Sequence, residues 1–241
     1  MVEYDWKLIQ KNYMLKNLTD EIHELADMNK AIIYQGFFKT GNGDYGEGDI
    51  FLGLSMPQQR NIAKKFISLD FENIKILLDN KYHEYRMIGL LILVEKYNDN
   101  SYERKNIFDF YLDNLKAVNN WDLVDLSADK IVGHFLYDFG NEYPAYKILL
   151  KKLAQSDNLW ARRVSIISTY YFIKNNNFDE TLNISEILLN DNHDLIHKAV
   201  GWMLREIGKR DIKILKDFLN KNYKKMPRTM LRYAIERFDD E

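Results

Sequence analysis

The sequence predicts an all-α protein built from paired helices, and three observations lead to that prediction. Apolar residues recur with helical spacing along almost the whole 241-residue chain. Glycine and proline are scarce, at 11 and 3 residues, whereas folds made of many short strands need many turns. The breaks between helical stretches are short polar clusters, such as Asn98-Asp99-Asn100, that cap helices or form turns.

The helical pattern assigns most of the chain to helices in succession. The predicted helices are Leu18–Phe38, Gln58–Leu69 after Pro57, Phe71–Leu78, Tyr82–Tyr97, Tyr102–Leu115, Trp121–Phe139, Tyr143–Ala154, Leu159–Lys174, Phe178–Leu189, Leu195–Lys209, Ile212–Asn222 and Arg228–Phe238. Proline suits the first turn of a helix because its missing N–H has no helical partner there anyway. No low-complexity linker interrupts the series, so we expect a single domain over residues 1–241.

These helices form pairs, and the pairs repeat. Residues Arg86, Asp125, Arg163, Lys198 and Arg232 lie near comparable helix starts, with spacings of 39, 38, 35 and 34 residues. Two helices in roughly 35–40 residues is typical of a HEAT-like α-solenoid, in which the second helix of each pair usually lines the concave face. We therefore expect an α-solenoid of HEAT-like antiparallel helix pairs, with these five residues on one face. The alternative is that cations near helix starts fall there by chance.

Composition and charge exclude several classes of protein. The chain has no cysteine, so disulfides, thiolate metal sites and cysteine nucleophiles are excluded. The charged N-terminus is unlike a signal peptide, and the apolar run Ile88–Val94 is far too short to cross a bilayer, so we expect a cytoplasmic protein. Residues 151–241 carry 17 Lys and Arg against 13 Asp and Glu, a pattern compatible with a basic face in the C-terminal half.

A glycine-rich segment, Phe38–Asp49, separates two predicted helices. Four of the 11 glycines fall within residues 41–48. Glycine-rich loops can cradle phosphates through backbone N–H groups, but this one carries three acidic residues and lacks the lysine of a nucleotide-binding loop. We interpret it as a flexible loop between helices, with contact to DNA or to a partner as the alternative.

The segment Val118–Asp125 contains the most informative pair of residues. Trp121 and Asp125 are four residues apart, so a helix would place them on one face. The face of an aromatic ring and a carboxylate together can bind a cationic or electron-poor group. The structural alternative is a core tryptophan beside an aspartate that caps a helix or complements its dipole.

Other reaction chemistries are weakly represented. His193 and His197 have helical i,i+4 spacing, but no glutamate completes a zinc-binding motif, so we predict no metal and no cofactor. No Gly-x-Ser-x-Gly elbow is present. Asp125 remains, and a carboxylate that stabilises a developing positive charge is what glycosidic cleavage requires.

Several segments together resemble the AlkD-like DNA alkylation repair proteins, a family of HEAT-like-repeat DNA glycosylases. The resemblance spans roughly residues 30–237, with the segments in the family's order. They are Phe51–Arg60, Trp121–Asp125, Ser156–Arg163, Lys198–Glu206 and Arg232–Glu236. It implies a bacterial, monomeric protein that binds double-stranded DNA, associates with the nucleoid when engaged there, and excises N3- and N7-alkylated purines without a metal.

The resemblance also implies roles for particular residues. Trp121 and Trp202 match the family's two aromatic residues that press on the DNA backbone near the lesion, and Asp125 matches its catalytic aspartate. Arg163 matches its backbone-contacting arginine, with Arg162 as the alternative if the register shifts by one. Further DNA-binding candidates, taken from the basic positions of the repeats and of the matching segments, are Arg86, Lys198, Arg205 and Arg232.

The chain departs from the family's pattern in the glycine-rich segment. The best-known members lack the insertion at 41–48 and carry a tyrosine near Phe37 or Phe38, so the family's contacts with the minor groove are not carried over to this segment. Two other functions remain open from the sequence: a HEAT-like protein that binds DNA structures without catalysis, and a solenoid scaffold that binds proteins.

Overall fold

The structure, a computed structural model, describes residues 6–99, 103–143, 146 and 148–236. Within these ranges the chain is helical, and its β pairing is a single parallel bridge between Ile50 and Tyr82. The all-α prediction is confirmed. Its backbone contacts divide the chain into two compact units, residues 1–123 and 124–241. No helix in the described part is long and apolar enough to cross a membrane.

The first unit contains six helices among its described residues and the start of a seventh. They are α1 (Trp6–Glu24), α2 (Met28–Phe37), α3 (Met56–Lys65), α4 (Phe71–Leu78), α5 (His83–Asp99), α6 (Arg104–Asp113) and α7 (Trp121–Ala128), with a short 3₁₀ turn at Leu115–Ala117. Helix α5 is the core of this unit, because it is buried along most of its length and packs against α3, α4 and α6. The boundary between the units falls within α7.

The second unit is organised around two long helices. Its elements after α7 are a π turn (Asp129–Gly133), α8 (His134–Phe139), α9 (Leu149–Ala154), α10 (Leu159–Lys174), α11 (Asp179–Leu188), α12 (Asp194–Gly208), α13 (Ile212–Asn222) and α14 (Arg228–Ala234). Helix α10 packs against α9, α11 and α12, and α12 packs against α13 and α14. Helices α10 and α12 therefore have neighbours on several sides, as repeated helix pairs require.

The predicted helix Leu18–Phe38 is wrong as a single element. The chain breaks between α1 and α2, where Asp27 caps α2 through the backbone N–H groups of Asn29 and Lys30. The Asp27 N–H also donates to the carbonyl of Leu52, 2.8 Å away. A Cβ atom on Gly53, whose φ is +88°, would lie only 2.1 Å from the Asp27 carbonyl oxygen. The contact of Asp27 with Leu52 and Gly53 accompanies the break between α1 and α2. Helical periodicity is a local pattern and does not predict such a long-range contact.

The other differences are smaller. Within the described residues, helix α9 begins at Leu149, later than the predicted start at Tyr143. The predicted ends at Tyr102 and Phe238 lie outside the described residues. The predicted helix Trp121–Phe139 is confirmed as continuous helical structure that contains the π turn. Pro57 lies in the first turn of α3, as predicted.

The glycine-rich segment connects α2 to the residues before α3 as a series of hydrogen-bonded turns. The Gly46 N–H donates to the Lys39 carbonyl at 3.2 Å, and the Asp49 N–H donates to the Gly46 carbonyl at 3.0 Å. The carboxylate of Glu47 accepts from the Gly43 N–H at 3.0 Å. These bonds fold the segment back on itself and direct Asp49 into the interior, where it is 4% exposed.

Asp49 is the centre of a buried polar cluster in the first unit. Its carboxylate accepts hydrogen bonds from the guanidinium of Arg86, from Asn120 Nδ2 at 3.0 Å and from His83 Nδ1 at 3.1 Å. The other ring nitrogen of His83 lies 2.9 Å from the carboxylate of Asp122. A buried carboxylate is tolerated only when it is well paired, so the cluster ties the glycine-rich segment to α5 and to the start of α7.

The charge states in this cluster depend on one another. Burial alone would lower the pKa of His83, but the carboxylates of Asp122 and Asp49 outweigh burial and raise that pKa from 6.5 to about 9. Burial would raise the pKa of Asp49, yet its hydrogen bond with His83 and the charge of Arg86 bring it below its usual value. His83 is therefore an imidazolium whose two ring N–H groups each donate to a carboxylate.

In the second unit, a glycine lets the π turn approach α10 closely. A Cβ atom on Gly133 would lie 2.1 Å from the backbone oxygen of Ser168. The Ser168 hydroxyl in turn donates to the Val164 carbonyl at 2.7 Å. Close backbone packing at this point sets the spacing between α10 and the helical segment that contains Asp125.

The His83 cluster predicts a specific pH dependence of stability. Because the pKa of His83 is higher in the folded state than in the unfolded state, the charged side chain stabilises the fold. This stabilisation is complete below pH 6.5 and is lost as the pH rises through about 9. We expect the free-energy difference of unfolding between the wild type and His83→Gln to shrink by about 3 kcal/mol over this interval. Chemical denaturation at several pH values measures it, and a difference independent of pH would contradict the assignment.

Candidate active site

The segment that the sequence singled out is helical, as predicted. Trp121 is the first residue of α7, and Asp125 lies one turn further along the same helix. By the division of the chain, Trp121 belongs to the first unit and Asp125 to the second. The side chains of both are partly exposed.

Asp125 forms a bidentate ion pair with Arg163 of α10. The Nε and Nη2 atoms of Arg163 donate to the two carboxylate oxygens of Asp125, at 2.8 and 2.7 Å. The third guanidinium nitrogen, Nη1, donates to the carbonyl of Leu195. Paired N–H groups fix the plane of a carboxylate more firmly than one charge contact can. Asp125 is thus held as an oriented anion.

The two members of the pair differ in exposure. The side chain of Arg163 is 6% exposed, whereas that of Asp125 is 19% exposed. Because its charge is held in place and part of its surface faces solvent, Asp125 can act electrostatically on a cation that approaches from outside. The guanidinium of Arg163 is enclosed, and its hydrogen bonds are made to Asp125 and to the Leu195 carbonyl within the protein.

Both candidate tryptophans pack against other aromatic rings. Trp121 stacks on Phe38, with ring centroids 5.3 Å apart and planes 18° apart, and meets Phe37 edge-on at 6.1 Å. Trp202, on α12, lies 5.9 Å from the ring of Tyr170 on α10. Each ring is partly exposed. A ring that is packed against its neighbours yet partly exposed can contact a ligand without changing its own orientation.

The cationic candidates fall into different environments. Arg86 is 5% exposed, and its guanidinium donates to Asp49 and to the carbonyls of Asn80 and Lys81. In this structure Arg86 is a buried structural residue, unlike the groove cation that the repeat spacing predicts. The reason is that the buried Asp49 carboxylate requires a paired cation.

The remaining cations belong to the second unit. Arg162 is bonded to Asp191 at 2.6 Å, and Lys198 pairs with Asp194 at 2.7 Å. Arg205 pairs with Glu236, and the guanidinium of Arg232 lies 5.6 Å from the ring centroid of Tyr233. Arg232 is exposed and Lys198 is half-exposed, so these two are the more accessible of the set.

Sequence reasoning did not select the polar residues of the first unit. Asp49, His83, Asn120 and Asp122 carry no shared spacing, and they meet only because the chain folds back between positions 49 and 122. The one available signal was the position of Asn120 and Asp122 on either side of Trp121. In the described part of the chain, no three histidine, aspartate or glutamate side chains are grouped as metal ligands would be.

Comparison with known proteins finds a family match over most of the chain. The profile of a family described as "DNA alkylation repair enzyme" matches residues 18–238. No curated protein matches the chain.

Several solved structures share the fold. A predicted DNA alkylation repair enzyme from Enterococcus faecalis is 15% identical, with a TM-score of 0.70 over 90% of this chain and 98% of its own. AlkD2 from Streptococcus mutans is 20% identical, with a TM-score of 0.57 over 78% of this chain and 92% of its own. A second S. mutans protein is 19% identical, with a TM-score of 0.54 over 95% of this chain and 99% of its own.

At these identities the structures establish the fold alone, and they confirm the prediction of an all-α, HEAT-like solenoid fold. The family profile supports a conclusion about family membership because it matches residues 18–238, which is most of the chain. That range contains every segment on which the resemblance was based. The chain belongs to the DNA alkylation repair enzyme family.

Proposed function

We propose that this protein is a DNA glycosylase that excises N3- and N7-alkylated purines from duplex DNA, with Asp125 as the catalytic residue. The observation that carries the proposal is the partly exposed Asp125 carboxylate, oriented by two hydrogen bonds from Arg163. An alkylated purine in DNA bears a positive charge. When its bond to the sugar breaks, the electron pair leaves with the base, and the positive charge passes to the sugar.

Asp125 would stabilise that sugar cation electrostatically. A fixed carboxylate needs no reorganisation as the charge develops, so it lowers the barrier more than a mobile one does. Water then adds to the sugar carbon and releases a proton to solvent. Because the cationic base is already a good leaving group, no general acid is needed to protonate it.

Arg163 is proposed as a positioning residue for Asp125. The sequence resemblance implies a contact with the DNA backbone, but the burial of Arg163 and its three bonds inside the second unit favour a role in orienting the carboxylate. Phosphate contacts are assigned instead to Lys198, Arg205 and Arg232, with Arg162 as a further candidate. Trp121 and Trp202 are proposed to press on the DNA backbone near the lesion.

A second function is favoured by the same ion pair. A bidentate bond to Arg163 gives Asp125 a structural reason to be an acid, independent of any reaction. A family member that binds DNA without releasing bases would keep this pair and the cations of the second unit. Release of bases by the wild type separates the two functions, because the binding protein would show none.

Replacing Asp125 with asparagine tests the catalytic role. The asparagine side chain retains the shape and one acceptor for Arg163, but it removes the charge that would face the sugar. We expect Asp125→Asn to bind methylated duplex DNA as the wild type does and to release 7-methylguanine on the order of 100-fold more slowly in single turnovers.

The matched control is Asp138→Asn, which removes one carboxylate from α8, where Asp138 pairs with His134 at 2.9 Å. It should release the base at the wild-type rate. Undiminished release by Asp125→Asn, or none by the wild type, contradicts the proposal.

Replacing Arg163 with lysine separates positioning from phosphate binding. Lysine retains the positive charge but cannot form the two parallel bonds to Asp125. We expect Arg163→Lys to keep its affinity for DNA and to lose about tenfold in the rate of base release. If the residue were only a phosphate contact, the rate at saturating protein would stay close to that of the wild type.

Replacing Arg232 with glutamine tests the assignment of phosphate contacts. Each neutralised phosphate contributes about 0.9 to the slope of log affinity against log salt concentration. We expect Arg232→Gln to weaken binding and to reduce that slope by about 1. Lys213→Gln, which removes an exposed charge from α13, should leave the slope unchanged. Equal slopes for the Arg232 variant and the wild type would remove Arg232 from the interface.

A further inference from the structure

A buried carboxylate that the proposed reaction does not use lies one helical turn beyond Asp125. Asp129 begins the π turn, and its side chain is only 4% exposed. Its two oxygens accept hydrogen bonds from the ammonium groups of Lys130, at 2.9 Å, and of Lys174 on α10, at 2.8 Å. Asp129 is therefore unable to face a ligand directly, and any effect it has on the reaction must pass through the residues that it binds.

Lys174 lies over two aromatic rings. Its ammonium nitrogen is 4.9 Å from the ring centroid of Tyr170 and 5.3 Å from that of Tyr171. The negative face of an aromatic ring attracts a cation, and the attraction is stronger where water is partly excluded. Because a buried carboxylate requires a paired cation, the bond to Asp129 fixes where the ammonium lies. Asp129 thus holds Lys174 against these rings.

The two tyrosines have different neighbours. Tyr171 stacks on His134 of α8, with ring centroids 4.3 Å apart and planes 10° apart. Tyr170 instead contacts Trp202 of α12, with ring centroids 5.9 Å apart and planes inclined at 44°. Tyr170 is the ring that links Lys174 to a residue assigned to the contact with DNA.

The backbone that carries Trp202 is fixed by a separate contact. A Cβ atom on Gly201 would lie 2.5 Å from the backbone oxygen of Met230 and 2.5 Å from the Cβ of Tyr233, so α12 and α14 are closely packed here. With the backbone fixed, the freedom left to Trp202 is rotation about its side-chain bonds. Trp202 is partly exposed, and the ring of Tyr170 beside it restricts that rotation.

We propose that Lys174 and Tyr170 are positioning residues for Trp202. The ammonium held by Asp129 fixes the tyrosine ring, and the tyrosine ring limits rotation of the indole. An indole held at one angle before DNA arrives loses less freedom on binding and meets the sugar–phosphate chain in one geometry. The expected effect on base release rests on the proposed glycosylase function, whereas the orientation of the indole can be measured in the free protein.

The indole N–H signal of Trp202 in proton–nitrogen NMR spectra of the free protein tests the orientation. The chain has four tryptophans, and the Trp202 signal is the one missing from Trp202→Phe. Lys174→Met keeps much of the side-chain length and removes the charge. We expect it to shift or broaden the Trp202 signal and to leave the signals of the other tryptophans in place. An unmoved Trp202 signal overturns the proposal.

A double variant tests whether the effect passes through Tyr170. Tyr170→Leu removes the ring between the ammonium and the indole. If the ring transmits the effect, adding Lys174→Met to Tyr170→Leu should move the Trp202 signal no further. An undiminished shift on that background contradicts the proposed order of contacts. Lys174→Arg and Tyr170→Phe keep the cation and the ring, and both should retain the Trp202 signal close to its wild-type position.

Lys130→Met is the matched control for loss of a charge beside Asp129. Lys130 and Lys174 are equally exposed, at 38%, and bind the same carboxylate. Lys130 is bonded in addition to the Leu126 carbonyl and, in the described part of the chain, lies over no ring. Both methionine variants leave Asp129 with one cation, so we expect similar falls in melting temperature. Equal movement of the Trp202 signal in the two variants contradicts the proposal. Lys174→Gln, which can still donate to Asp129, replaces Lys174→Met if that variant does not fold.

Base release from methylated duplex DNA measures the consequence for the reaction. We expect Lys174→Met to lower the single-turnover rate at saturating protein about fivefold and to leave the salt dependence of binding to undamaged duplex unchanged. A salt slope reduced by about 1, with a wild-type rate, would make Lys174 a phosphate contact and overturn the proposal. If the wild type releases no base, the glycosylase assignment fails, and the Trp202 signal still decides whether Lys174 and Tyr170 position the ring.

Discussion

The burial of one carboxylate, that of Asp49, constrains much of the first unit. An ionised carboxylate in the interior is stable only with several donors around it, and here they come from Arg86, His83 and Asn120. These partners belong to α5 and to the approach to α7, so one charge fixes the glycine-rich segment against both. The cluster thereby sets where α7 begins, at Trp121.

The second unit contains an ion pair with a different character. Asp125 and Arg163 are joined by two short hydrogen bonds, yet Asp125 keeps part of its surface exposed. Partial exposure lowers the desolvation cost that a fully buried ion pair would carry, so it is compatible with a structural pair as well. The same exposure leaves an oriented anion accessible to a cation that forms outside the protein, and this is why the proposed chemistry rests on Asp125.

The polar cluster of the first unit adjoins a group of packed aromatic rings. The His83 imidazolium, hydrogen-bonded to two carboxylates, packs against Phe38 and Phe51, and the glycine-rich segment that ends at Asp49 begins at Phe38. A segment that looks from the sequence like an insertion thus contributes to both a buried charge network and an aromatic cluster. The rings of Phe38 and Trp121, stacked on each other, connect this arrangement to the start of α7.

The sequence by itself determined the helical class, most helix positions and the family. Periodicity and capping act over a few residues, so Asp70, Asn158 and Asp211 cap the helices that the pattern places there. Only the tertiary structure decided that Asp27 divides the first predicted helix, that Arg86 is buried against Asp49, and that Arg163 holds Asp125. These contacts join residues 25 to 38 positions apart, and no local pattern encodes which distant charge a buried group will meet.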